Sequence, residues 1–128
     1  MLDRIDLRID VPRLTPRERR DRVQGEPSAL VRARVAQARE RQRRRLAPAG
    51  VTANAHLSAR GLRELCRLEP AALAALDRAY ENLRLSARAC DRVTKVAQSI
   101  ADLEGADVVA ERHVLESLSY RDAVAGRR

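Results

Sequence analysis

A chain of 128 residues is long enough for one domain and short for two. It carries 26 Lys and Arg residues against 18 Asp and Glu residues, a formal net charge of +8, and 45% of it is hydrophobic. That apolar content excludes simple disorder, and no apolar run approaches the roughly 20 residues that a membrane span needs. The sequence shows no signal-peptide pattern and no disulfide framework, so we expect a soluble, cytoplasmic protein without a membrane partner.

Positive charge is concentrated in one part of the chain. Residues 26–50 hold seven arginines against two acidic residues, a net charge of +5, whereas 51–128 is nearly neutral. Lys95 is the only lysine, and biased codon usage is the simplest explanation of the arginine excess. Tyr80 and Tyr120 are the only aromatic residues, which argues against recognition of bases by ring stacking.

The first segment has the period-2 pattern of a half-buried β-strand. Charged residues separate its apolar ones, which are Ile5, Leu7, Ile9 and Val11. A single strand cannot satisfy its own backbone hydrogen bonds, so we expect it to be poorly ordered, or packed on a neighbouring copy or on another part of a longer protein. A polar, arginine-rich linker is expected at 13–27, where Pro16, Gly25 and Pro27 interrupt regular structure.

The remaining sequence predicts helices, and the first of them is the longest. Ser28 is its expected N-cap, and Pro48 and Gly50 are its stop signals beyond Leu46. Apolar residues at helical spacing predict a buried stripe. The expected stripe consists of Val31, Val35, Ala38, Gln42 and Leu46.

Four shorter helices follow, and together the five predict a small all-α bundle preceded by one orphan strand. Cap and stop signals mark their ends. Ser58 begins the second helix, where Leu57 can pack on Leu62, and Pro70 begins the third. Ser86 begins the fourth helix and Gly105 ends it, and the fifth begins near 109–111. The expected inward residues are Leu73, Leu76, Tyr80, Leu83, Ala89, Val93, Val96, Ala97, Ile100, Leu103, Val114 and Leu118.

No catalytic set is visible in the sequence. His56 and His113 stand alone, and Cys66 and Cys90 lack partners at metal-ligand spacing. We therefore predict no metal site and expect the cysteines to be small buried apolar residues. Because no glycine-rich phosphate loop is present, this chain by itself is not expected to bind ATP tightly or to be an enzyme.

An arginine run at the end of the first helix is the strongest charged feature. Its members are Arg39, Arg41, Arg43, Arg44 and Arg45. They flank the apolar stripe on both sides and do not form one clean face. They could contact a nucleic-acid phosphate backbone in a salt-dependent, sequence-independent way, or they could simply be a solvated helix surface.

Arg88 is a second candidate. If Ser86 caps the fourth helix, Arg88 lies in its first turn, where the helix dipole disfavours a cation. An anion such as phosphate between Arg88 and the free N–H groups would relieve this. The alternative is an exposed Arg88 paired with Asp91 or Glu81.

Arg4 is a third candidate, at the start of the predicted strand. An arginine at a strand edge can reach a phosphate held by a neighbouring subunit. The alternative is an ordinary strand-end charge beside Asp3 and Asp6.

The order of the motifs carries a family resemblance. LDRIDLRIDVPRL, VRARVAQARERQ, NAHLS, LSARACDRVTKVAQSIADLEG and RHVLESLSYR stand in sequence. In this order they resemble the C-terminal part of magnesium-chelatase-like AAA+ ATPases, and among these the competence-associated ComM branch. The resemblance covers almost the whole chain.

The resemblance implies a division of labour within a longer protein. An N-terminal AAA+ core of the same polypeptide would hold ATP and Mg²⁺, with neither expected on this chain alone. Residues 1–27 would be the last core strand plus a linker, 28–122 a helical lid, and 123–128 a disordered tail. LSAR resembles a sensor-2 motif, so Arg88 would contact the γ-phosphate in cis. LDR resembles an arginine-finger region, so Arg4 would act in trans.

The resemblance also implies partners. The parent protein would be an ATPase that forms a homo-oligomeric ring, expected to be a hexamer, and acts on DNA as a helicase-like branch-migration motor. Its DNA-facing loops would lie mainly in the core. Two other functions stay open from the residues alone: an independent basic helical module that binds DNA, and a helical adaptor that docks a partner protein.

Overall fold

The described residues form a helical bundle, in agreement with the all-α prediction. A computed structural model describes residues 4–21 and 25–122. Within these ranges there are six α-helices: α1 (Pro16–Arg20), α2 (Ser28–Leu46), α3 (Ala59–Leu65), α4 (Pro70–Asn82), α5 (Ala87–Glu104) and α6 (Glu111–Asp122). Short 3-10 turns at Ala47–Ala49 and Asn54–His56 connect α2 to α3. The tail predicted at 123–128 lies outside the described residues.

The N-terminal segment differs from its prediction in two ways. Residues 5–11 adopt no β-strand and pair with no strand in the ranges that the structure describes; the Arg8 backbone N–H instead donates to the Tyr120 carbonyl at 3.1 Å. The expected linker contains α1, which Thr15 begins with a capping box to Glu18. The strand pattern is real, but a strand needs paired neighbours to form.

α2 is buried over its second half only. Ala38, Gln42 and Leu46 are buried as predicted, whereas Val31 and Val35 are 39% and 46% exposed. The predicted cap is also wrong: Pro27 is the N-cap, and Ser28 is the first helical residue, without a side-chain cap. The first half of α2 extends beyond the elements that could cover it.

α4 turns a different face to the core from the predicted one. The buried residues are Ala72, Ala75 and Ala79, and the larger predicted ones are about half exposed, as for Leu73 at 51% and Tyr80 at 53%. Leu83 is 49% exposed, and Leu76 is partly buried. Alanine on the inner face lets α4 approach α5 and α6 closely, which a leucine face would prevent.

α5 crosses the middle of the bundle and follows its prediction closely. Ser86 caps it, and Gly105 ends it in the left-handed conformation with φ of 82°. Ala89, Val93 and Ala97 are buried, Val96 and Ile100 half-buried, and only Leu103 is turned outward at 51% exposure. The main core joins α4, α5 and α6, including Val114 and Leu118; a smaller one joins Leu46, Leu57, Leu62 and Cys66.

None of the helices in the described part of the chain combines the length and apolar character needed to cross a membrane.

Candidate functional site

The head of α5 presents a cation that the fold does not use. Ser86 accepts the Ala89 N–H at 3.1 Å, as its predicted capping role requires. Arg88 is exposed in the first helical turn, and its side chain makes no hydrogen bond or ion pair with any residue that the structure describes. The pairing with Asp91 or Glu81 that was the simpler alternative is not formed. The positive end of the helix and a free guanidinium therefore face solvent together.

The turn before α5 is strained. Arg84 has a φ of 50°, the one positive value found for a non-glycine residue within 4–21 and 25–122. Left-handed backbone is unfavourable for a side chain of this size and often marks functional turns. Arg84 and Arg88 are both exposed, and they lie on either side of the Ser86 cap of α5.

Arg4 is also exposed, and it makes no ion pair with the described residues. Asp6, its nearby acid, lies instead with its Oδ1 3.6 Å from Arg92 Nη1 on α5. Together with Leu7 and Lys95, these two side chains border a cavity of about 270 Å³ between the N-terminal segment and α5. The trans role of Arg4 stays a prediction.

The arginine run does not form one free basic surface. Arg41 donates to Asp107 at 3.0 Å and to the Gly105 carbonyl at 2.7 Å. Arg43 and Arg44 both bind Glu40. Arg45 is bound within the fold, and Arg39 is exposed without a described partner. Arg41 and Arg45 therefore have structural roles. A nucleic-acid contact by the arginine run stays a prediction.

Asp102 is the centre of a polar network that was not predicted. Its side chain is 0% exposed and accepts Arg45 Nη1 at 2.6 Å and Nη2 at 2.8 Å. Asn54 Nδ2 donates to it at 2.9 Å, and Gln98 Nε2 at 3.2 Å. Gln42 accepts the Asn54 backbone N–H at 3.1 Å. The network holds α2 and the Asn54–His56 turn against α5. The one sequence feature that could have indicated a buried polar network is Gln42, a glutamine within the predicted apolar stripe of α2.

A second polar cluster joins α5 to α6. His113 is buried, and its Nδ1 accepts the Ala110 N–H at 2.9 Å, so Nε2 carries the proton that is donated to Glu104. Arg112 donates to the same carboxylate. The hydrogen bonds from Arg112 and then His113 lower the pKa of Glu104 to about 2. This arrangement anchors the junction of α5 and α6.

Both cysteines are free thiols; Cys66 is buried and Cys90 is partly buried. Burial raises the pKa of the Cys66 thiol to about 11 and also raises that of Cys90. Both thiols are therefore neutral at pH 7, and neither is an activated nucleophile. No group of three or more His, Cys, Asp or Glu side chains suited to a metal ion occurs in 4–21 or 25–122.

These features define a small helical domain with an exposed guanidinium, that of Arg88, in the first turn of its central helix. Residues 25–121 match the family described as magnesium chelatase, subunit ChlI C-terminal, and the chain belongs to that family.

Longer bacterial proteins are similar to the chain over nearly its whole length. It is 40% identical over 126 residues to the Competence protein ComM of Haemophilus influenzae, covering 96% of this chain and 24% of that protein. It is 39% identical over 121 residues to the Uncharacterized protein YifB of Escherichia coli, covering 94% and 23%. An uncharacterized protein of Mycobacterium tuberculosis is 39% identical over 127 residues, covering 99% and 25%. The chain thus spans about a quarter of the length of these relatives.

Proposed function

We propose that this chain is the nucleotide-sensing lid of a magnesium-chelatase-like AAA+ ATPase. The observation that carries the proposal is Arg88: an exposed guanidinium without a described partner, in the first turn of the capped helix α5. Membership of the family and the quarter-length match to longer relatives support it. The remaining length of the polypeptide supplies the core that holds ATP and Mg²⁺.

Charge stabilisation explains how such a lid acts. Phosphoryl transfer spreads negative charge over the γ-phosphate oxygens, and a positioned guanidinium binds them most tightly in the transition state. Arg88 supplies that charge in cis, next to the free N–H groups of α5. The Asp102 network joins α2 to α5, so closing on the nucleotide moves these helices as one body.

Arg4 supplies the corresponding charge to the neighbouring copy in a ring of subunits, which we propose to be a hexamer. Its guanidinium is exposed and lacks a described partner, as a group that acts in trans must. In the assembled ring the cycle of closure and release drives a helicase-like motor that processes DNA. The competence name of the Haemophilus influenzae relative supports that class of substrate.

A chimeric protein tests the proposal. This chain replaces the matching quarter of the Haemophilus influenzae Competence protein ComM, and ATP turnover is measured with Arg88→Ala. We expect turnover to fall by about 10³-fold, the lower end of what a phosphate-contacting arginine contributes. Unchanged ATP turnover in the Arg88→Ala chimera would contradict the lid proposal.

The matched control is Arg63→Ala. Arg63 is an exposed arginine on α3 with no described partner, so the change removes the same charge from another surface. Its turnover should stay within about twofold of the parent chimera, since exposed substitutions away from a site change little. Equal losses in both variants would point to nonspecific charge instead.

A further inference from the structure

We infer a second anion site at the opposite end of α5, a groove that takes the phosphate backbone of a nucleic acid. The groove has a volume of about 670 Å³ and lies between the end of α2 and the loops that follow α3 and α5. Four guanidinium groups line it, with one carboxylate and two apolar residues. The lining residues are Arg41, Arg44, Arg45, Arg67, Asp107, Leu65 and Ala106.

The walls of this arginine groove are fixed before any ligand binds. The two loops are joined by backbone hydrogen bonds, from Val109 N–H to the Arg67 carbonyl at 2.8 Å and from Glu69 N–H to the Val109 carbonyl at 2.9 Å. Arg41 is tied to the Gly105 carbonyl, and Arg45 to Asp102. Groups already held in place lose little conformational entropy on binding, which favours affinity.

Two arginines are free to turn toward a ligand. The Arg67 side chain is exposed and makes no hydrogen bond or ion pair in the described ranges. Arg44 is 80% exposed, and Glu40 is its one partner among the described residues. Arg41 can exchange Asp107, which is 90% exposed, for a phosphate oxygen. Arginine forks bind phosphate in a bidentate way, so these groups suit a run of phosphates along one groove.

The chemistry of the groove favours a nucleic-acid backbone over a single nucleotide. Its lining holds no aromatic side chain on which a base could stack, so recognition is by phosphate and independent of sequence. Arg88 lies 17 residues before Gly105, the C-cap of α5, which is about 25 Å at the helical rise. The groove is therefore distinct from the proposed nucleotide contact at Arg88, and it rests on the proposed function only for its ligand, the DNA that the motor processes.

The test uses this chain with a 20-base-pair, fluorescein-labelled DNA duplex and fluorescence anisotropy between 50 and 200 mM salt. The double variant Arg44→Ala/Arg67→Ala should weaken binding by about tenfold or more at 50 mM salt. Its plot of log affinity against log salt should be shallower by about 2, because each lost phosphate contact removes about 0.9 from the slope. Thermal unfolding should be unchanged, since both side chains are exposed.

The control double variant is Arg60→Ala/Arg63→Ala, on α3. It removes the same charge outside the groove lining and should retain the salt slope of the parent chain. Three results would overturn the inference: no binding at 50 mM salt, equal losses in both double variants, or an unchanged slope in the groove variant. Displacement of the duplex by polyglutamate as readily as by unlabelled DNA would also overturn it, in favour of an acidic protein segment.

Discussion

The two ends of α5 use charge in opposite ways. At the head, Arg88 is exposed and has no described partner, next to the positive end of the helix dipole. At the tail, Arg41 donates to the Gly105 carbonyl, and Asp102 is buried among its donors. Arg41 and Arg45 at the tail stabilise the fold, whereas Arg88 opposes the local field. In an arginine-rich chain, the residue type alone does not identify a candidate site. What identifies it is whether the arginine has a bonding partner and where on the helix it lies.

The same contrast explains why the tail network is required by the fold. A buried carboxylate is stable only when its oxygens accept hydrogen bonds, and Asp102 accepts them from α2, from the Asn54–His56 turn and from α5 itself. Losing one partner leaves the others desolvated and unpaired. The head of α5 has no such dependence, so substitutions at the two ends should differ greatly in effect.

The largest effect is expected from Asp102→Ala. The change leaves the guanidinium of Arg45, which is 21% exposed, without its buried carboxylate. We expect a loss of about 3–5 kcal/mol in the free energy of unfolding, the usual result of breaking a buried ion pair. Urea denaturation followed by circular dichroism measures it.

Asp107→Ala is the matched control for that loss. Asp107 also pairs with an arginine of α2, at 3.0 Å, but its side chain is 90% exposed. An exposed pair of this kind contributes at most about 1 kcal/mol. Similar losses for Asp102→Ala and Asp107→Ala would show that burial does not separate the two pairs.

An intermediate effect is expected from acid at the junction of α5 and α6. Bonds from Arg112 and His113 lower the pKa of Glu104 to about 2, from an ordinary value of 4.5. A carboxyl with a lowered folded pKa stabilises the protein fully above pH 4.5 and loses that contribution as the pH falls toward 2. Glu104→Gln should therefore flatten the decline in stability between pH 4.5 and 2, measured by thermal unfolding.

Glu64→Gln is the control for the acid series. Glu64 is a surface glutamate, 58% exposed, in an i,i+4 pair with Arg60. Because the Glu64 carboxylate lies outside the junction of α5 and α6, the difference between the two variants reports on the bonds to Glu104. An acid profile of Glu104→Gln that overlays the parent chain would contradict the role assigned to these bonds.

Helix ends were predictable from sequence because their signals are local. Ser58 and Ser86 both cap helices with their own side chains, Pro70 begins α4, and Gly105 ends α5 with positive φ. Each of these depends on residues within one turn. The prediction of Ser28 as an N-cap was wrong because Pro27, the residue before it, already has the extended backbone of an N-cap. Ser28 is therefore the first residue of the helix.

Buried faces and long-range pairs were less predictable. In α4 the alternatives were leucine and alanine faces, and the choice depends on how closely α5 and α6 approach, which the sequence of α4 does not contain. The Asp102 network joins residues up to 57 positions apart. Arg88 was located as a candidate from its cap, but its lack of a described partner could be learned only from the structure.

The smallest effect is expected from Arg88→Ala, and its sign is informative. Removing a cation from the first turn of α5 should stabilise the isolated chain by about 0.3–1 kcal/mol. Arg63, in the last turn of α3, lies at the favourable end of its helix, so Arg63→Ala should change stability in the opposite direction. Thermal unfolding at low ionic strength measures both, and 1 M salt should reduce both effects by screening the charges.

A gain in stability in Arg88→Ala, together with a loss of ATP turnover in the chimera, would show why Arg88 is present. A residue that weakens the fold yet is needed for turnover is retained for what it binds, because no folding advantage keeps it there. Loss of more than about 1 kcal/mol in Arg88→Ala would contradict this, since it would require a structural partner for the guanidinium. The two ends of α5 would then differ only in degree, and the case for a nucleotide contact at its head would fail.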